Sequence, residues 1–472
     1  MGGKETRRRQ DMTLDSYING LKGRSIAVIG VGVSNRPLLK LLLDAGCDVT
    51  ARDARTREKL GEELAAQLER AGCRLRLGED YLGELEEEVI FRTPGLHPFK
   101  PELVAARERG ALVTSEMEAF FSLCPCRIAA VTGSDGKTTT TTILSELLKK
   151  EGYTVWLGGN IGTPLLDKVP QMRPEHFAVL ELSSFQLHSM KCRPDIAVIT
   201  NVSPNHLDVH PSYEDYQTAK KQIFLGQKQD DVLVLNADNA ITRSFAPEAK
   251  GQVRFFSRAE TPEEGVYLKD GVIYAAHNGE SHPVMNADDI LLPGLHNVEN
   301  YMAAFAATRD LVSDQSCRAV AGEFKGVAHR LEQIRVLRGV TYCNDSIASS
   351  PTRTAAGLHA LKIKPILIAG GYDKHIPFDG LGDEICLHVK ELFLTGFTAE
   401  KIAAAVKASA HYDPEKLKIH IMDDFTETVL AASQTAEPGD MVLLSPACAS
   451  FDKFKNFEER GNTFRRIVME ME

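Results

Sequence analysis

Ile128-Ala129-Ala130-Val131-Thr132-Gly133-Ser134-Asp135-Gly136-Lys137-Thr138-Thr139-Thr140-Thr141-Thr142 is the stretch from which the fold can be read. The apolar run Ile128 to Val131 has the length and flanks of a buried parallel strand. A glycine-bearing turn follows, then Lys137-Thr138, then a helical pattern with Ile143, Leu144, Leu147 and Leu148 on one face and Gly152 as its stop. Strand, glycine-rich turn, Lys-Thr and helix together make a phosphate cradle. The N–H groups of the helix start point at the anion, and the helix dipole favours negative charge there. Gly133, Ser134, Asp135, Gly136, Lys137, Thr138 and Thr139 are the expected contacts, with Lys137 reaching the β/γ-phosphates and the Thr138 hydroxyl holding Mg²⁺. Val131 stands where the longer form of this loop has its first glycine, so the loop is shortened. An ordinary βα turn before a Thr-rich helix is the alternative.

The chain has 472 residues, more than one core can use, and divides in expectation into three domains: 1–116, 117–326 and 327–472. With 43% hydrophobic and 25% charged residues it reads as a globular protein, and it has no apolar run long enough for a membrane helix. The start, MGGKETRRRQD, is basic without the apolar segment of a signal peptide and reads as a solvated tail. A net charge of −10 argues against nucleic-acid binding and suits a cytoplasmic enzyme. The nine cysteines lie scattered in apolar contexts with no metal spacing, as expected of buried reduced thiols.

Upstream of the phosphate loop, Ser25 to Gly30 reads as a strand entering a turn, Val31-Gly32-Val33-Ser34-Asn35. A helix with Leu38, Leu39, Leu41 and Leu42 follows, then a second strand, Asp48 to Asp53. This is the dinucleotide-binding outline with Asn35 in place of the third glycine. Gly32, Val33 and Ser34 are candidate phosphate or nucleotide contacts. Asp53 could bind a ribose, or be a surface acid. Thr93, Pro94 and Gly95 follow the strand Val89-Ile90-Phe91, at the sheet edge where ligands sit, unless they only make a turn.

Downstream, Gly158 to Pro164 is a glycine-dense loop, and Phe177 to Leu182 a buried strand closing on Glu181. A carboxylate at the end of a strand parallel to the phosphate-loop strand is where such proteins hold Mg²⁺; a helix N-terminal charge is the alternative. Another strand, Ile196 to Asn201, leads to His206, a candidate metal ligand on the phosphate side. Tyr213 to Lys221 reads as a helix.

GSDGKTTTT, GGNIGTP, ELSSFQL, NVSPNHLD and YQTAK, in this order, resemble the central ATPase domain of the Mur ligases, which build the peptide of the bacterial cell-wall precursor. The resemblance implies an α/β protein of three domains: a Rossmann-like N-terminal domain for the UDP substrate, a P-loop ATPase-like central domain with a parallel sheet, and a Rossmann-like C-terminal domain for the amino acid. It implies ATP, two Mg²⁺ sites and a CO₂-derived carbamate on Lys220. Thr138, Glu181, His206 and carbamylated Lys220 become the metal ligands. A lysine must be neutral to react with CO₂, which desolvation favours. Lys221 is the rival, but the Tyr-x-x-Ala-Lys spacing selects Lys220. Asn160 and Ser183 match positions that contact the UDP substrate. Asn297 and Asn300, at i, i+3, match the adenine end, a helix N-cap at Asn297 being the alternative. Arg330 matches an arginine reaching the ATP phosphates.

In the last third, Val340 to Ser346, Pro365 to Lys374 and Met441 to Ser450 each read as a strand ending in a polar loop, together one binding edge that includes Asp345 on the ATP side. LLSPACASFDKFKNFEERG resembles the D-glutamate-adding branch of the family. That resemblance places D-glutamate at Ser349, Lys374, Ser450, Asn456 and Phe457. It implies UDP-N-acetylmuramoyl-L-alanine as the other small-molecule substrate, an acyl-phosphate intermediate, no nucleic-acid or membrane partner, and a monomer. Ile347 replaces a family lysine, and Tyr372-Asp373 shifts an acid by one position.

Overall fold

The computed structural model describes residues 12–32, 34–204, 210–292, 294–373 and 376–472. Three of the residues singled out above, Val33, His206 and Lys374, lie outside them. Among the described residues the chain forms two compact units, Met1–Phe324 and Lys325–Glu472.

The first unit holds two sheets. The five-stranded one is parallel throughout, in the order Arg74–Leu77, Asp48–Asp53, Ser25–Ile29, Val89–Phe91, Leu112–Thr114. Asn35, standing where a third glycine was expected, explains itself. Buried at the helix start, it donates Nδ2–H to the Ile29 and Gly30 carbonyls at 3.0 Å each and closes the βα turn.

The nine-stranded sheet places the phosphate-loop strand Arg127–Thr132 between Phe177–Glu181 and Ile196–Ile199, all parallel. Val155–Gly159 closes one edge. On the other side, Val232–Asn236, Gln252–Ser257 and Gly265–Lys269 continue the parallel run. Val272–His277 and Glu280–Asn286 then finish it antiparallel, so the sheet is mixed where a parallel one was expected. The tight connections Asp270-Gly271 and Asn278-Gly279, all at positive φ, make those hairpins.

One apolar layer, including Phe120, Leu166 and Leu187, is shared by the two sheets. A second, built on Leu144, Tyr301 and Phe305, covers the other face of the nine-stranded sheet. The helix Lys137–Lys150 carries a threonine run because Thr141 and Thr142 turn their hydroxyls back to the carbonyls of Lys137 and Thr138, at 2.7 and 2.8 Å.

The second unit is one six-stranded sheet, in the order Glu332–Leu337, Val340–Asn344, Met441–Leu444, Ile366–Ala369, Glu391–Leu394, Lys418–Ile421. Only the first strand is antiparallel. The three strands expected to form a binding edge are adjacent, and apolar layers cover both faces. All nine cysteines are free thiols, and eight of them are buried. No helix among the described residues is long and apolar enough to cross a membrane.

Candidate functional site

The phosphate loop is shaped by two glycines at positive φ, where any other residue would be strained. Gly136, at φ +76°, starts the helix, and a Cβ there would come within 2.3 Å of Asn300 Oδ1. Gly133, at φ +151°, lies against Thr200, whose hydroxyl would be 1.8 Å from an added Cβ. Ser134 is pinned by its hydroxyl, which donates to the Ser203 carbonyl at 3.0 Å, and Asp135 N–H donates to Asn201 Oδ1 at 2.9 Å. Lys137 folds over the loop and donates to the carbonyls of Gly133 and Ser134 at 3.0 and 2.8 Å. Those two acceptors stand where phosphate oxygens would compete for the ammonium.

Glu181 ends its strand beside the loop with 2% of its surface exposed, so it is not a helix N-terminal charge. Thr138 Oγ1 donates to its Oε2 at 2.7 Å, and Asn160 Nδ2 to its Oε1 at 2.8 Å. A hydroxyl and a buried carboxylate converging at a phosphate loop form a hard-oxygen donor set that fits Mg²⁺.

Lys220 is 1% exposed. Its ammonium donates to the Gly133 carbonyl at 2.7 Å and lies 4.4 Å from the centre of the Tyr216 ring. Burial, reinforced by the Lys137 charge, holds its pKa well below the usual lysine value. Lys221 instead reaches outward to Glu248 at 2.5 Å and over the Phe245 ring. The helix face therefore makes the same choice as the spacing. Tyr216, the tyrosine of the motif that selected Lys220, supports both Lys220 and Ser134 (its hydroxyl is 3.0 Å from that of Ser134), contacts that the sequence reading did not anticipate. Its i−4 spacing from Lys220 was the available signal.

Asn300 accepts from Thr140 Oγ1 at 3.1 Å and donates to Asn297 Oδ1 at 3.2 Å, so both amides sit behind Gly136. Gly294, not Asn297, caps that helix.

A narrow cleft opens where the two sheets of this unit meet, lined in part by Ser34, Pro94, Gly159 and Pro164. Gly32, Thr93, Gly95 and Asn160 are chain neighbours of that lining. Asp53 is not a surface acid. It is 5% exposed, accepts the Val31 N–H at 2.7 Å and is forked by Arg55, so a ribose would share it with a guanidinium. Ser183 closes a capping box with Gln186, which itself lines the cleft. Glu116, also in the lining, was not anticipated. Burial lifts its carboxyl from 4.5 to about 7, and its Oε1 has no partner among the described residues. Arg92, 1% exposed, ties the Rossmann-like sheet to the central one through Phe185 O and Ser189 Oγ.

In the second unit, Asp345 sits at a strand end. Burial raises its pKa to about 6, while the Ser445 hydroxyl at 2.7 Å and the Leu331 N–H oppose the rise. Arg330, half-buried, stands between His329 and Leu331, both at positive φ, in a strained turn. Ser450 is 2% exposed, and Asn456 caps the helix Phe457–Glu470, leaving the Phe457 N–H at its first turn. Ser349 lies in the turn before the helix Pro351–Ala360. The displaced acid Asp373 pairs with Lys401. Arg460, missed by the sequence reading, is buried without a carboxylate. It donates to Ser346 Oγ and O, Cys448 O and Ala449 O, binding the Ser450 loop to the Asp345 loop.

Comparison with known proteins gives two matches to family models: the Mur ligase middle domain over residues 131–308, and the Mur ligase glutamate ligase domain over 329–448. The chain is 50% identical over 462 residues to the UDP-N-acetylmuramoylalanine--D-glutamate ligase of Acetivibrio thermocellus, covering 97% of this chain and 99% of that one. It is 49% identical over 449 residues to the protein of the same name from Clostridium perfringens, covering 95% and 97%. Among solved structures, UDP-N-acetylmuramate-alanine ligase MurC from Thermotoga maritima has a TM-score of 0.57 at 17% identity, covering 94% of this chain and 99% of that one. MurF from Acinetobacter baumannii has 0.57 at 18%, covering 96% and 92%. At these identities the likeness is one of fold: α/β in three domains.

Proposed function

We propose a reaction for this chain from the premise that it belongs to the Mur ligase family. It is an ATP-dependent ligase that joins D-glutamate to UDP-N-acetylmuramoyl-L-alanine in peptidoglycan precursor synthesis. The γ-phosphoryl group of ATP passes to the substrate carboxylate, giving an acyl phosphate and ADP. The D-glutamate amine attacks that carbonyl and inorganic phosphate leaves. The identity to the named relatives over nearly the whole chain supports the substrates.

The observation that carries the chemistry is the convergence of Thr138, Glu181, Asn160, Lys137 and neutral-leaning Lys220 on one glycine loop. Gly133 to Thr139 receive the phosphates, Lys137 exchanges its carbonyl partners for phosphate oxygens, and Arg330 adds a guanidinium fork. Asn297, Asn300 and Asp345 complete the nucleotide contacts. The Lys220 amine adds to CO₂, forming an N–C bond and releasing a proton, and becomes a carboxylate-like ligand. Mg²⁺ at Thr138 and Glu181, with a second ion at His206 and the Lys220 carbamate, would neutralise charge on the transferring phosphoryl group.

Gly32, Val33, Ser34, Asp53, Thr93, Pro94, Gly95, Asn160 and Ser183 hold the UDP substrate in the cleft of residues 1–116 and 117–326. Ser349, Lys374, Ser450, Asn456 and Phe457 of residues 327–472 hold the D-glutamate carboxylates. The test is phosphate release from ATP with UDP-N-acetylmuramoyl-L-alanine and either glutamate enantiomer. Release with the D form alone is expected, and equal release with L-glutamate overturns the assignment.

A further inference from the structure

We propose that His359, Glu384 and His388 bind one late first-row divalent cation, Zn²⁺ first among them, on a part of the second unit that the ligase reaction does not use. Their three ligand atoms lie within 4.8 Å of one another. His359 is in the last turn of the helix Pro351–Ala360, and Glu384 and His388 face it at i, i+4 on the helix Asp379–His388. His359 Nε2 is 2.8 Å and His388 Nε2 3.4 Å from the same oxygen, Glu384 Oε2. The two rings are 4.7 Å apart. A tetrahedral zinc ion bound at about 2.0–2.2 Å separates neighbouring ligand atoms by about 3.4 Å, the spacing of His388 from the carboxylate, while His359 would have to draw back by about 0.6 Å to admit the ion.

A second observation concerns the oxygen itself. Glu384 Oε2 is buried, and although both imidazole nitrogens lie beside it, it accepts no hydrogen bond from the described residues. An ion pair alone would leave that acceptor unsatisfied, whereas a cation between the three groups satisfies it. Two imidazoles and one carboxylate suit zinc, nickel, copper or cobalt and do not suit Mg²⁺, which takes oxygen ligands.

The other grouping of this kind among the described residues is His97, His188 and Asp215, whose carboxylate already bonds two imidazoles, one of them outside the grouping, although His97 Nε2 is buried without a hydrogen bond. His97 Nδ1 accepts the Phe99 N–H at 3.3 Å, and Asp215 is divided between His188 at 2.9 Å and His210 at 2.7 Å. In a parallel α/β sheet the C-terminal ends of the connecting helices lie at the edge opposite the strands' carboxyl ends, and His359 and His388 stand at such ends. An ion held there would clip the two helices together and raise stability.

The experiment uses the full chain in saturating Mg²⁺. Co²⁺ is added and followed by its visible absorption, and Zn²⁺ by calorimetry, for the wild type, His359→Ala, His359→Gln, His388→Ala and Glu384→Gln. The expected result is one component with four-coordinate cobalt absorption, weakened at least tenfold by each histidine substitution. The metal-free melting temperature should be unchanged by His359→Gln, which separates lost ligation from lost fold. A wild type without such a component, or one that survives both His359→Gln and His388→Ala, overturns the proposal.

Discussion

Glu116 lies in the cleft with its carboxyl raised from 4.5 to about 7 by burial, the Leu166 backbone bond opposing the shift and the Asp167 charge adding to it. A group whose folded pKa is above its unfolded value binds more protons folded than unfolded, so folding weakens as pH rises through the interval between the two. Below pH 4.5 the carboxyl costs almost nothing, and above pH 7 it costs the whole shift. At 1.36 kcal/mol per unit, 2.5 units correspond to about 3 kcal/mol at pH 8.5, against about 1.4 kcal/mol at pH 5.5, where only the unfolded chain is ionised. Glu116→Gln keeps an acceptor for Leu166 and removes the titration. The variant should be more stable than the parent at both pH values, with the larger gain, by about 2 kcal/mol, at pH 8.5. For a unit of this size that is a difference of about 3 °C in melting-temperature gain, read by thermal unfolding of both proteins in the two buffers. A gain independent of pH, or one larger at pH 5.5, refutes the reasoning.

Gly136→Ala forces an L residue to φ +76° and a methyl against Asn300 Oδ1. The KM for ATP should rise at least roughly tenfold, and unchanged steady-state kinetics would contradict the cradle. Lys220→Ala should be nearly inactive and partly restored by formate or acetate in the phosphate-release assay; full turnover without added acid excludes a carbamate. Glu87 and Arg52 form an ion pair whose side chains are 8% and 4% exposed. Glu87→Gln should cost about 3–5 kcal/mol in urea unfolding, because it leaves the guanidinium buried without its carboxylate; a loss under 1 kcal/mol would mean that the three carbonyls on Arg52 suffice.

What the sequence revealed of the site, and what it hid, follow from one physical distinction. The phosphate loop was legible because its requirements are local: a strand end, two glycines and Lys-Thr in fixed order leave little other use for those residues. Glu181 was legible for the same reason, sitting at the end of its own strand, whereas Lys220 was singled out only by the family resemblance, since a lysine on a helix is ordinarily solvated. Residues whose role is made by long-range packing left no such mark. Arg92 meets Ser189 across 97 positions and Arg460 meets Ser346 across 114. Asp53 shows the boundary between the two classes. Its place at the end of a second strand was readable, but the choice between ribose ligand and surface acid turned on Arg55 and the Val31 N–H, which only the closed turn brings to it. The antiparallel extension of the central sheet was missed although its Asp-Gly and Asn-Gly turns were in plain view, because attention to the parallel βα units left no period-2 reading for residues 265–286. The same reasoning locates the metal triad. Glu384 and His388 declare themselves by spacing, but His359 comes from the neighbouring helix, so only the packing of the two helices turns an ordinary surface pair into three converging ligands.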